Sequence, residues 1–316
     1  MLKKKDAAGL RRVEADLLQH AQVTCAAGQQ GWIEGLVIMA ETVTNWNRLW
    51  RGYRPLHAAI QEKAHGPGEA SLERLEAIRW LIEHGADVEA HGAWPPARCL
   101  LIACFSGVRS VVDLILRSAN QDGFMAIALG ELGKVKKILS RDATFASQRA
   151  DGGLTPLMIS CATRMVNEAS LQIATLLIEA GADVQAQTKT WDHSVDAVYF
   201  CAGSGKNTLF QLLLDRGADA TAALVPALWQ DDLELAQACI NAGGQVDACR
   251  DGETPILNQM IRWGRVKQAL WLLEHGANPE LTDSRGWTAC DQAESRGNAR
   301  ILEAVQLARK RKYTPR

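Results

Sequence analysis

The sequence predicts an all-α solenoid of about eight to nine helix-turn-helix units joined by finger loops, and three observations carry that expectation. The first is a phrase that returns along the chain. "WLIEHGADVEA" from Trp80 comes back as "LLIEAGADVQA" from Leu176, "LLLDRGADATA" from Leu212 and "WLLEHGANPEL" from Trp271, with a worn copy, "ACINAGGQVDA", from Ala238. The second is a partner phrase upstream: "YRPLHAAI" at Tyr53, "GLTPLMISCA" at Gly153, "GETPILNQM" at Gly252 and "GWTACDQA" at Gly286. The third is the period: the glycines Gly85, Gly181, Gly217, Gly243 and Gly276 are separated by 96, 36, 26 and 33 residues, the first gap holding about three units, and a repeat of about 33 residues signals a stack of small units.

Each part of the unit has a physical reason. Threonine before proline starts a helix, because its hydroxyl accepts from a first-turn N–H and proline at the first helical position loses no bond. An apolar run of helical spacing followed by glycine stops one, because glycine enters the left-handed region without steric cost. The unit therefore reads turn, short helix, short helix, glycine stop.

These residues resemble the ankyrin repeat family, whose T-P-L-H-x-A-A and G-A-D-V-x-A blocks stand here at family spacing. Better-preserved units are expected at about 54–92, 152–189, 192–221, 251–283 and 284–312. Degenerate ones fill 95–121, 122–151 and 222–250, and residues 10–48 are expected to hold one more. The whole chain, 1–316, is taken as a single domain, with 1–50 a degenerate helical cap and 284–316 a cap repeat with a basic tail. Arg54 departs from the usual threonine, and Ala197 and Ala223 occupy the proline slot. Two insertions, Gln61 to Arg74 and about Thr163 to Gln172, separate helices that the pattern would place close together.

Composition limits the function classes. A net charge of −1 is poorly matched to general polyanion binding, which needs many phosphate contacts. No apolar run approaches the ~20 residues of a membrane span. The N-terminal basic residues lack the apolar stretch of a secretory signal, so the expected location is cytoplasmic. Cys25, Cys104 and Cys161 take the small-residue slot that Ala59 fills elsewhere, Cys201 lies beside it, and Cys239 and Cys290 replace buried apolar residues. With no C-x-x-C pair, they read as buried small hydrophobes, and no metal or cofactor is expected.

Other apparent chemistry is read as repeat grammar. "AGSGKNT" at Ala202 has Phe200 where a phosphate loop needs glycine, so it reads as an interhelical turn. Asp192, His193 and Ser194 are adjacent and cannot form a triad. His84 and His275 share an "EHG" context, and Asp231 and Asp232 begin a helix. The basic ends, Lys3 to Lys5 and Arg309 to Lys312, lie at opposite ends of the stack, and the second reads as a solvated tail, with a nuclear address as the alternative.

What the resemblance implies is noncatalytic recognition of a protein by a concave face of first helices and finger loops. The residues expected there are Trp94, Phe105, Trp191, Trp229, Arg250, Arg262, Trp263, Arg285 and Trp287, since tryptophan and arginine dominate interfaces. Trp80 and Trp271 are expected on the convex side. A stand-alone array without a catalytic domain resembles immunity or inhibitor proteins that neutralise a toxin or effector. The alternatives are an adaptor or host-directed effector scaffold and, further off, a nucleic-acid-binding or enzymatic protein.

Overall fold

The computed structural model describes residues 4–61, 69–150, 152–165, 167–190, 194–249 and 254–313, and nearly all of their regular structure is helical. Contacts divide the chain into two compact units, Met1–Asp183 and Val184–Arg316.

The first unit opens with two single-turn helices, then pairs Ala21–Gln29 with Ile33–Ala40 and Pro55–Ile60 with Leu72–Glu83. The pairs Cys99–Ser106 with Arg109–Leu116, Gly123–Ala128 with Leu132–Arg141, and Pro156–Ala162 with Asn167–Glu179 follow. In the second unit the pairs are Ala197–Ser204 with Asn207–Asp215, Leu224–Trp229 with Leu233–Asn241, Ile256–Arg262 with Val266–Glu274, and Ala289–Ser295 with Ala299–Tyr313. Within the first unit successive first helices pack side by side, and small residues permit the close approach. A Cβ on Gly28 would sit 2.6 Å from the Pro55 carbonyl oxygen.

Both repeated phrases act as the sequence expects, with one exception. The glycine stops Gly85, Gly181, Gly217, Gly243 and Gly276 all adopt φ between 87° and 94°. At the helix starts, Thr155 accepts from the Met158 N–H ahead of Pro156, and Thr288 forms a capping box with Asp291. Asp196 supplies the cap where Ala197 replaces proline, accepting from the Tyr199 N–H. The exception is "GETP": Pro255 stays extended at ψ 145°, the helix begins at Ile256, and the Thr254 hydroxyl does not cap it. Instead the Thr254 carbonyl accepts from Gln259 Nε2 at 2.7 Å.

Two finger loops form short antiparallel hairpins, His91–Gly92 with Ala97–Arg98 and Thr188–Lys189 with Ser194–Val195. The first is tied to the next repeat by Arg98, whose largely buried guanidinium pairs with Glu89 at 3.1 Å and with Asp122. Asp122 in turn caps Gly123–Ala128. One side chain thus fastens a loop to a helix start.

Seven cysteines are buried, and none of the eight is in a disulfide; Cys249 differs from the expected pattern in being exposed. It lies past the second helix of its repeat, Leu233–Asn241. Burial pushes the thiols of Cys25, Cys104 and Cys239 up to about 12, which keeps them protonated and unreactive. Alkylation of the native protein is therefore expected to modify Cys249 first, and all eight only after unfolding. A disulfide mass loss, or stoichiometric zinc released on unfolding, would contradict it.

Of the basic run Arg309 to Lys312, expected as a solvated tail, Arg309 is instead engaged with protein, while Lys310 is exposed. Helix Ala299–Tyr313 continues through Arg309, which grips Glu280 with two hydrogen bonds, Nη2 to Oε2 at 2.9 Å and Nε to Oε1. The ion pair holds that turn of the helix against the preceding finger loop.

Candidate protein-binding face

In the second unit each first helix ends on a left-handed residue: Gly205 at φ 73°, Asp231 at 63°, Gly264 at 70° and Gly297 at 62°. Asp231 is the one non-glycine of these four. Aspartate tolerates the region better than most residues, and its carboxylate reaches the next repeat, accepting from Lys267 Nζ at 2.9 Å and Gln268 Nε2 at 2.8 Å. Counting back from these stops, Trp229 and Arg262 hold one position and Trp263 and Arg296 the next. The repeat therefore delivers rings and guanidinium groups to one row of helix ends.

The row is built. Trp229 and Trp263 meet edge to face at 81°, with ring centroids 4.9 Å apart, yet they remain 48% and 41% exposed. Arg265 lies over the Trp229 ring at 4.3 Å, and Arg262 stands 5.9 Å from the Trp263 centroid. Arg296 donates to the Arg262 carbonyl oxygen, tying the next helix end to the same ledge. Guanidinium on indole is attractive because the ring face is negative, and it fixes both side chains in advance.

Trp287, in the following finger loop, carries Arg285 at 4.5 Å over its ring. That arginine is oriented by Asp283, whose buried carboxylate accepts from Arg285 Nη2 at 2.7 Å, Gln292 Nε2 at 2.9 Å and the backbone N–H groups of Arg285 and Trp287. Burial would raise the Asp283 carboxyl pKa, but the hydrogen bonds from Arg285 and the two backbone N–H groups outweigh it and hold the group below the usual carboxylate range.

Of the residues expected from sequence, the structure brings Trp229, Arg262 and Trp263 together and sets Arg285 on Trp287. Trp94 and Phe105 belong to the first unit and are half-buried there; the Trp94 carbonyl accepts from Gln61 Nε2 at 2.8 Å. Trp191 and Arg250 lie outside the described residues, as do Asp192, His193, part of each insertion, Lys3 and the side chains of Arg311 and Lys312. Sequence reading missed Arg265 and Arg296. Both sit within one residue of a left-handed glycine, Gly264 and Gly297, and that register could have found them.

The shared "EHG" context proves to be a stacking device. His84 lies on Trp80 with centroids 3.8 Å apart and His275 on Trp271 at 3.9 Å, and each Nδ1 hydrogen-bonds the tryptophan carbonyl at 2.7 Å. "AGSGKNT" is the turn at Gly205 between two helices, and Asp232 caps Leu233–Asn241 through the Leu235 N–H. Among the described residues there is no cluster of metal-ligating groups and no helix long and apolar enough to cross a membrane.

Comparison with known proteins agrees with this architecture. The ankyrin repeat model matches residues 51–93 and 152–189, and the model for ankyrin repeats in many copies matches 259–307. The chain carries ankyrin repeats and has the ankyrin repeat fold, a class of modules that bind protein partners. A 72-residue stretch is 38% identical to the potassium channel AKT1 of Oryza sativa, in both the indica and japonica subspecies; it spans 23% of this chain but only 8% of the channel. Among solved structures, an ankyrin repeat domain from Acinetobacter baumannii AYE is 29% identical with a TM-score of 0.46, covering 59% of this chain and 96% of that one. A chain from the complex of a Bdellovibrio bacteriovorus predatory endopeptidase with an immunity protein is 19% identical, with a TM-score of 0.46 and coverage of 60% and 99%.

Proposed function

We propose that the chain is a noncatalytic recognition protein that binds a protein partner on the ledge of Trp229, Trp263 and their arginines, with Trp287 and Arg285 beside it. The observation that carries this reading is a pair of tryptophans that stay more than two-fifths exposed while meeting edge to face, with a guanidinium over the Trp229 ring. Large rings left open to water and already fixed in place lose little entropy on docking. Tryptophan and arginine are also the side chains whose truncation most often costs an interface its affinity. The mode of action is occlusion: a preformed face covers the working surface of a toxin or effector, as an inhibitor or immunity protein does.

The competing account makes the same rings a seal between two repeats, and the two accounts predict opposite outcomes. Alanine at Trp229, Trp263 or Trp287 is expected to weaken partner binding by roughly 2 kcal/mol each while moving the melting transition little. Trp271→Ala, which removes the ring stacked on His275, is the control and should spare binding. If the three substitutions melt the protein and leave the affinity of the remaining folded fraction unchanged, the ledge is packing and the binding reading fails. Coexpression supplies the test of occlusion, because a captured toxin that stays active while bound would exclude it.

A further inference from the structure

The charges of the ledge are unequally matched. Lys267 is answered by Asp231 and Arg285 by Asp283. Arg262 and Arg265 form no ion pair among the described residues, although both are half-buried and held close to an indole. Arg296 adds a third guanidinium, engaged with protein only through the Arg262 carbonyl among the described hydrogen bonds. A guanidinium lying on a ring keeps its N–H groups at its rim, and that planar fork matches a carboxylate in two parallel bonds.

We propose that this ledge receives an acidic polypeptide segment, its carboxylates on Arg262 and Arg265 and an apolar or aromatic side chain against the open indole of Trp229 or Trp263. The proposal rests on the binding reading above and names the chemistry of the partner. Charge complementarity selects the occupant: two uncompensated cations sit on an apolar floor, in a chain whose net charge is −1. Nucleic acid would need a longer basic track than these residues provide, since its affinity grows with each neutralised phosphate. Few charges and exposed aromatic area fit carboxylates interleaved with rings.

The probe is a short fluorescein-labelled peptide of repeating Glu-Glu-Phe, titrated by anisotropy against the full chain. Its Gln-Gln-Phe analogue and an oligo-dT of similar length are run beside it. The acidic peptide is expected to bind saturably and to weaken as salt rises, with R262Q/R265Q lowering its affinity at least about tenfold. The analogue should bind wild type no better than the acidic peptide binds the double variant. Equal affinity for the two peptides, or no effect of R262Q/R265Q, overturns the proposal, and tighter binding of oligo-dT replaces it with a nucleic-acid site. Should R262Q/R265Q fail to fold, the wild-type comparison of the two peptides and its salt dependence still decide. A partner captured by wild type, lost with W229A/W263A and kept by R262Q/R265Q would leave the ledge as the binding site and refute only its acidic preference.

Discussion

Arg74→Ala is expected to destabilise the first unit by about 3 kcal/mol or more, read as a lower urea midpoint by circular dichroism. The cause is an unusual helix end. Pro55–Ile60 is only six residues long and stops at Gln61, where the insertion begins, and among the described residues no backbone N–H pairs with the Ala59 or Ile60 carbonyl. Arg74 reaches back from the second helix and donates Nε to the Ala59 carbonyl at 2.8 Å and Nη2 to the Ile60 carbonyl. A cation at the C-terminal end of a helix also meets the negative pole of its dipole. Alanine removes both donors, leaves buried acceptors unpaired and opens space where a buried side chain stood. Arg74→Met separates these effects: it restores most of the volume without donors and should recover only the packing share. A loss below about 1 kcal/mol for alanine would show that other groups or water satisfy these carbonyls.

What was readable in the sequence, and what was not, follows from the range of the forces concerned. The glycine stops and the Thr155 and Thr288 caps are set within four residues, so composition alone reports them. "GETP" misleads because Pro255 stays extended and the helix starts one residue later, which the dipeptide does not report. The site divides in the same way. Trp229 and Trp263 could be placed on one row by counting from the repeat. That Arg265 rather than Arg262 covers Trp229 most closely depends on how Val266–Glu274 begins after Gly264, and therefore on side-chain direction in three dimensions. Asp231 reads locally as a helix-start acid, but its left-handed backbone and its grip on Lys267 and Gln268 emerge only when two repeats are side by side.

Acid should weaken the first unit as pH falls below about 6.5, and His57 is the reason. This histidine of the "RPLHAAI" phrase is fully buried, with Nε2 3.1 Å from the Ala97 carbonyl and the Cys99 sulfur 3.7 Å from the same nitrogen. Burial lowers its pKa from 6.5 to about 4, outweighing the hydrogen bonds to the Ala97 and Ala90 carbonyls, while Arg54 and His91 add repulsion in the same direction as burial. The sign follows: between those two values the unfolded chain binds a proton that the folded chain refuses, so unfolding gains as pH falls. Stability is complete above about 6.5, declines through the window and levels off, for this group, below about 4. At 1.36 kcal/mol per unit, the loss is about 3 kcal/mol. Asp283 of the second unit acts in a lower window, because its pKa is held below 3.8 and its contribution is lost only as pH drops through that range. Urea unfolding of wild type and His57→Gln, at neutral pH and at the lower edge of the histidine window, separates the causes. Glutamine can still donate to the Ala97 carbonyl but does not titrate, so the variant should lose little over the interval in which wild type loses most. Parallel losses in the two proteins would assign the acid sensitivity to other groups.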